Sequence, residues 1–329
     1  MEIITLRSIA EKLGISVSTV SRALKNHPDI SVLTKNRVNE LATFLEYEPN
    51  IYAINLRSKN HRVLGLVVSQ VSGYFYGSFL SAIEEECRKE DYRLMILQSG
   101  SDETVESKNL SICRQNRISG LFACLASSKS SIRDFDRVID ANIPLVFFDK
   151  VPDGPHYNKV CVPDEEASAK AGNLIIESGR KNILAIFGEE YLSISKNRSK
   201  GLDAVISKDP QSVLKKAFCS TAEEAQRVIQ KCIKEKKIPD AVYCMSDQIL
   251  QGVMKALQNA AIAIPATTAV IALSDGYLPK VYTPEVTYIE TSGYKLGKLA
   301  FIRMMECMAG DINTNTLFVK SVLVKGKTI

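Results

Sequence analysis

Three stretches with a helical apolar period open the chain. Leu6, Ile9, Ala10 and Leu13 mark one face of a first helix, and Gly14 supplies a stop. Ser16 can cap a second helix that runs to about Lys25. After the loop HPDIS, Ser31 can cap a third, with Val38, Leu41, Phe44 and Leu45 inward. EYEPNIYAINLRSKN follows: a proline, a capping Asn50, a short helical stretch and a polar tail. From Val63 the period changes. β-Rich runs (VLGLVVS, RLMILQ, SGLFACL, PLVFFD, NKVCV, NILAIF, DAVYCM, AVIAL, VTYIE, LFVKSVLVK) alternate with helical stretches. The helices are predicted at 78–90, 103–116, 131–141, 166–179, 198–206, 222–236, 247–260 and 292–309. Such alternation predicts parallel sheet covered by helices on both faces. Ten strand candidates are too many for one six-stranded unit, so two sheets and two subdomains are expected.

The second helix, around ISVSTVSRAL, raises a chemical question. At 100° per residue, Ser16, Val20, Ala23 and Leu24 fall on one side, and Val17, Ser18, Ser21, Arg22 and Lys25 on the other. Hydroxyls and both cations then share the solvent face, although Ser and Thr are mediocre helix formers. A helix, a Gly-containing turn and a helix with a short polar face fit a helix-turn-helix, whose second helix enters the major groove. Small side chains let that helix approach the bases. Hydroxyls bond phosphates or base edges, and Arg takes guanine bidentately. An ordinary solvated face would carry the same hydroxyls.

The segment ITLRSIAEKLGISVSTVSRALKNHPDISVLTKNRVNELATFLEYEPNIYAINLRS resembles the DNA-binding segment of the lactose-repressor/galactose-repressor family. It has the core VS-x-x-TVSR-x-L (here from Ile15–Ser16 to Leu24) and the third-helix pattern at Thr34, Arg37 and Val38. The hinge pattern is at Tyr47, Pro49, Asn50, Ala53 and Leu56. The resemblance implies that Val17 and Ser18 choose bases, Val17 against a thymine methyl, and that Arg22 reads guanine. It implies phosphate contacts at Ser16, Thr19, Ser21 and Asn26, with Thr5 and Leu6 in the same DNA-facing set. In the hinge, Asn50 is a contact, Ala53 is small so that two hinge helices can approach, and Leu56 is the wedge that kinks the duplex from its minor groove.

The resemblance continues through RVLGLVVS, RISGLFA, IPLVFFDK and TPEVTYIE, similar to the family's first, third and fourth core strands and its late crossover. It implies an all-α helix-turn-helix headpiece and an α/β periplasmic-binding-protein-like core of two doubly wound subdomains. The expected domains are residues 1–48 (headpiece), 49–61 (hinge and linker), 62–161 with 292–320 (one subdomain), and 162–291 with 321–329 (the other). Open α/β sheets take ligands at the carboxyl ends of their strands. The implied effector set there is Tyr74, Phe75, Asp149, Arg198, Ser246, Asp247, Ser274 and Asp275. MSDQ puts Ser246 where the family usually has Asn, and ALSDG puts Ser274 where a ligand-binding Asp often stands.

Composition changes this picture little. Of 329 residues 45% are hydrophobic and 24% charged, a globular mixture. The net charge is +5, and residues 1–62 hold nine Lys/Arg against six Asp/Glu. The excess sits where a polyanion partner is expected. Eight cysteines form no C-x-x-C pair and read as reduced thiols, and three scattered histidines offer no zinc cluster. No metal and no cofactor is expected. There is no Walker loop, G-x-G-x-x-G, G-x-S-x-G or H-E-x-x-H, so an enzyme is not expected. No apolar run reaches membrane-spanning length and no secretory signal is visible. A transport solute receptor, the rival reading, would need that signal and no helix-turn-helix. The expectation is a bacterial cytoplasmic, nucleoid-associated transcription regulator. It acts as a homodimer, since no leucine heptad follows the last strand. Its partners are a pseudo-palindromic double-stranded operator and a small effector, a sugar or sugar derivative.

Overall fold

The computed structural model describes residues 4–47 and 62–329. The hinge positions Asn50, Ala53 and Leu56 lie outside the described residues.

The headpiece is three helices: α1 (Leu6–Leu13), α2 (Val17–Leu24) and α3 (Val32–Phe44). Each starts on a hydroxyl cap. Thr5 accepts from the Ser8 amide while Ser8 returns the bond to the Thr5 amide, a reciprocal box. Ser16 and Ser31 accept from the Thr19 and Thr34 amides. Gly14, at φ +64°, closes α1 by returning its amide to Ala10 and Glu11 carbonyls. Ile9, Ala10, Val20, Ala23, Val38 and Ala42 form the core. Two expected positions differ. Ser16 is the exposed cap of α2 and not part of its inner face. Phe44 is 81% exposed, and Ala42 packs inside instead. Six residues on from Val38, Phe44 is rotated about 240° from it at 100° per residue.

The core begins with β1 (Val63–Val68), α4 (Tyr74–Lys89), β2 (Arg93–Gln98), α5 (Glu103–Gln115), β3 (Gly120–Ala123), α6 (Ile132–Asp140), β4 (Leu145–Phe148) and β5 (Asn158–Cys161). Next come α7 (Asp164–Glu177), β6 (Asn182–Phe187), α8 (Ser193–Ile206), β7 (Val213–Phe218), α9 (Ala222–Lys234) and β8 (Ala241–Cys244). They are followed by α10 (Asp247–Asn259), β9 (Ala269–Ser274), α11 (Leu278–Val281) and β10 (Thr287–Glu290). The last elements are α12 (Gly293–Met308), β11 (Thr316–Phe318) and β12 (Val322–Val324).

These strands make two six-stranded sheets, ordered β11-β5-β4-β3-β1-β2 and β12-β10-β9-β8-β6-β7. All pairings are parallel except β10 with β12. The central strands, GLFA, LVFF, AVYC and AVIALS, are buried along their whole length, as a sheet covered on both faces requires. β7 was missed in the sequence because Lys215 and Lys216 interrupt its apolar pattern; it is the exposed edge of its sheet, where lysines are tolerated. LFVKSVLVK is two strands, one in each sheet. All eight cysteines are free thiols, six of them buried.

Helices close on one another at glycines. A Cβ on Gly201 of α8 would lie 2.1 Å from the Glu165 carbonyl oxygen of α7, so only glycine permits that crossing. Phe79 of α4 stacks on Phe148 of β4 with ring centroids 3.8 Å apart and pins the helix to its sheet. Losing such a buried ring costs about 3–5 kcal/mol.

Candidate DNA interface and effector cavity

On α2 the Ser16 hydroxyl lies 2.8 Å from both the Ser18 and the Thr19 hydroxyl. The hydroxyls at the start of this helix therefore satisfy the Thr19 amide and one another. This explains how a Ser/Thr-rich segment stays helical. Val17 is 42% exposed, Ser18 and Arg22 are exposed, and Thr19 and Ser21 are half-buried. Arg22 makes no ion pair among the described residues, so its guanidinium fork is available for bidentate contact. Asn26 is exposed just past the helix at φ +55°. Thr5 is occupied as the α1 cap, and Leu6 packs against the headpiece core. Val32 and Leu33, each 72% exposed at the start of α3, were not singled out from the sequence.

The carboxyl ends of the strands of both sheets meet at a cavity of about 400 Å³. Tyr74, Phe75, Asp149, Arg198, Ser246 and Asp247 all line it, although they span 173 positions of sequence. Tyr74, at the start of α4, stacks on Tyr277 with centroids 4.9 Å apart. Asp149 follows β4 at φ +58°, and its Oδ2 accepts from the Tyr76 hydroxyl at 2.7 Å. Burial, then the Asp149 charge, holds the Tyr76 phenol well above its usual value, so it stays a donor. Ser246 caps α10, accepting from the Ile249 amide at 3.4 Å.

Arg198 lines the cavity with its charge already paired. Its Nε donates to Asp164 Oδ1 at 2.7 Å, and Nη1 donates to the Met245 carbonyl. Both side chains are more than nine-tenths buried. Burial alone would lower the guanidinium; the Asp164 carboxylate outweighs it and leaves Arg198 above its ordinary value. Burial raises the Asp164 carboxyl to about 6 against the pull of Arg198. Asp247 is also raised to about 6, by burial, while bonds from the Ser274 hydroxyl and the Asp275 amide oppose the shift.

Ser274 and Asp275 do not line the cavity. Ser274 is fully buried behind it, donating to Asp247 and accepting from the Gly276 amide at 2.9 Å. Asp275 turns its carboxylate to Ser78 and Gly293. Lining residues missed in the sequence are Tyr76, Lys150, whose Nζ is 3.4 Å from the Ser69 hydroxyl, and Glu189, which accepts from the Ser128 hydroxyl at 3.0 Å. Asp164, partner of Arg198, was missed as well. Lys150 and Tyr76 had a signal, standing directly after Asp149 and Phe75; Glu189 and Asp164 depend on long-range pairing. Among the described residues no cluster of His, Cys, Asp or Glu could hold a metal, and no helix is long and apolar enough to cross a membrane.

Comparisons with known proteins address both parts. Residues 5–50 match the family profile of bacterial regulatory proteins, lacI family. Residues 61–324 match that of periplasmic binding proteins and the sugar binding domain of the LacI family. The transcriptional repressor PurR of Vibrio atlanticus is 26% identical over 309 residues, covering 92% of this chain and 91% of PurR. Catabolite control protein A of Staphylococcus aureus is 23% identical over 295 residues, covering 89% of each. The crystal structure of the Lac repressor dimer bound to operator and the anti-inducer ONPF superposes with a TM-score of 0.88 at 21% identity, over 99% of each chain. The two profiles span the three-helix headpiece and both sheets of the core, and the chain belongs to the LacI family of DNA-binding bacterial transcription regulators.

Proposed function

We propose that this regulator binds a pseudo-palindromic operator as a homodimer and that a sugar or sugar derivative in the core cavity sets its operator affinity. The observation that carries the reading is the cavity itself. Its walls come from both sheets, and it combines an aromatic face at Tyr74 and Phe75 with directional groups at Asp149, Lys150, Arg198 and Ser246. Sugars present apolar ring faces and many hydroxyls, which such a mixture holds with orientation. The Arg198 charge is spent on Asp164, so neutral sugars fit this part of the wall as well as acidic ones. On the headpiece, Val17, Ser18 and Arg22 read bases, and Ser16, Thr19, Ser21 and Asn26 hold phosphates. Thr5 and Leu6 act indirectly, by fixing α1. Asn50, Ala53 and Leu56 are proposed as hinge contacts on sequence grounds alone. The chain performs no catalysis in this reading, and it works in the bacterial cytoplasm.

The test is a thermal-shift screen of neutral sugars, sugar acids and sugar phosphates on the full chain. Hits are then titrated calorimetrically and against operator selected from random duplexes. Tyr74→Ala should weaken the hit by about tenfold or more, the scale of one lost aromatic contact of about 1.5 kcal/mol. Absence of any sugar hit, or a hit whose affinity ignores Tyr74→Ala, would refute the reading.

A further inference from the structure

Asp275 faces away from the cavity but remains bonded to it. Its amide donates to Asp247 Oδ2 at 3.0 Å, and Asp247 lines the cavity. Its carboxylate reaches the other half of the core. Oδ1 accepts from the Ser78 hydroxyl at 2.8 Å and from the Gly293 amide at 2.6 Å. Asp275 follows β9 of the second sheet, whereas Ser78 is on α4 and Gly293 opens α12. These two helices pack on each other, and α12 packs on β3, β4 and β5 of the first sheet. One residue thus bonds its own half through its backbone and the opposite half through its side chain.

The partners of Asp275 are tightly placed. Ser78 follows directly on the turn of α4 that carries the Tyr74–Phe75 wall, and its hydroxyl also lies 3.0 Å from the Phe75 carbonyl oxygen. A Cβ on Gly293 would sit 2.2 Å from that same oxygen and 2.5 Å from the Ser78 hydroxyl. The start of α12, the start of α4 and the Asp275 carboxylate therefore cannot move independently. Other contacts also cross between the halves, among them the Tyr74–Tyr277 stack, the Ser128–Glu189 bond, the Ser193 hydroxyl donating to the Val151 carbonyl at 3.0 Å and the Lys295–Glu290 ion pair. Tyr277, Ser128 and Lys295 are exposed in them, whereas Ser193 and Val151, like Asp275 and Ser78, are half-buried; what sets Asp275 apart is its amide bond to Asp247 of the cavity wall. A ligand shifts a conformational equilibrium only by contacts that differ between its states. A bond in series with a cavity residue supplies such a difference.

Resting on the reading of this cavity as the effector site, we infer that Asp275 couples it to the arrangement of the two halves. What Asp247 meets in the cavity passes through the Asp275 amide and carboxylate to α4 and α12. Hydrogen exchange on the full chain, with no ligand added, tests this. Asp275→Ala should speed exchange at residues 75–80 and 293–297 by about 3- to 10-fold, the factor expected of one or two lost hydrogen bonds. Asp275→Asn keeps an acceptor at Oδ1 and should restore most of the protection. Asp247→Asn, made in the second half, should alter exchange at 75–80 in the first. Combined with Ser78→Ala it should do no more there than Ser78→Ala alone. Additive effects, or an Asp247→Asn effect confined to the second half, would overturn the coupling. They would leave the sugar reading intact, because the calorimetric titration decides that separately. If Asp275→Ala does not fold, the Ser78→Ala cycle on the same peptides decides the matter.

Discussion

Arg198→Ala should be felt first as a loss of core stability. In the native core the Arg198 and Asp164 side chains are 5% and 9% exposed and 2.7 Å apart. Truncating the arginine leaves a carboxylate buried without its counter-charge and also frees the Met245 carbonyl. Breaking one side of a buried pair costs about 3–5 kcal/mol. The Asp164 carboxyl stands near 6 even with Arg198 beside it, against an ordinary 3.8. Without the guanidinium it rises further. A group with a raised native pKa binds its proton more tightly folded than unfolded, so its contribution to stability grows as pH falls. Between the variant's higher pKa and about 6, only the variant gains, by roughly 1.4 kcal/mol per pH unit. Below about 6 the two proteins gain alike. The penalty should therefore be largest near pH 8, shrink toward pH 6 and then level off at the lost packing and the Met245 bond. Urea unfolding at pH 8, 7, 6 and 5 reads this out through circular dichroism. Asp164→Asn with Arg198→Met should cost less than the sum of the single changes. A penalty under about 1 kcal/mol, or one independent of pH, would refute the buried-pair argument. The same reasoning makes Arg198→Ala a poor probe of ligand affinity on its own.

Gly201→Ala should destabilise the core by about 2–3 kcal/mol in the same assay, because its Cβ meets the Glu165 carbonyl oxygen at 2.1 Å and α8 must move off α7. Ser16→Ala should cost the headpiece about 1 kcal/mol, read as a lower melting midpoint, since the Thr19 amide loses its cap. Arg22→Ala should lose about 1–3 kcal/mol on a selected operator and much less on random duplex, measured by fluorescence anisotropy at fixed salt. Asp247→Asn removes a carboxyl that titrates near 6. Wild type should gain on this variant as pH falls from about 7 toward 4, and parallel stability curves for the two would contradict that assignment.

Much of the architecture was legible because periodicity is a local property. The α2 and α3 caps at Ser16 and Ser31, the Gly14 stop and the alternation of strands with helices all follow from residues within one or two turns of each other. α10 was expected at 247–260 and spans Asp247–Asn259. Where local pattern was mixed, the reading slipped. β7 carries two lysines because it is a sheet edge, and Phe44 is apolar yet lies off the inner face of α3.

The site divides along the same line. The family resemblance grouped Tyr74, Phe75, Asp149, Arg198, Ser246 and Asp247, and all six line one cavity: five stand just after a strand end or at a helix start, and Arg198 projects from within α8. What each group does was set by partners distant in sequence. Asp164, 34 positions from Arg198, takes the charge that seemed available to a ligand. Ser78, 197 positions from Asp275, turns an apparent ligand carboxylate into a bond between the two halves of the core. A chain's period records which face of each element is buried. It does not record which buried groups meet, and pairing in a low-dielectric interior decides whether a charge is neutralised, shifted or left for a ligand.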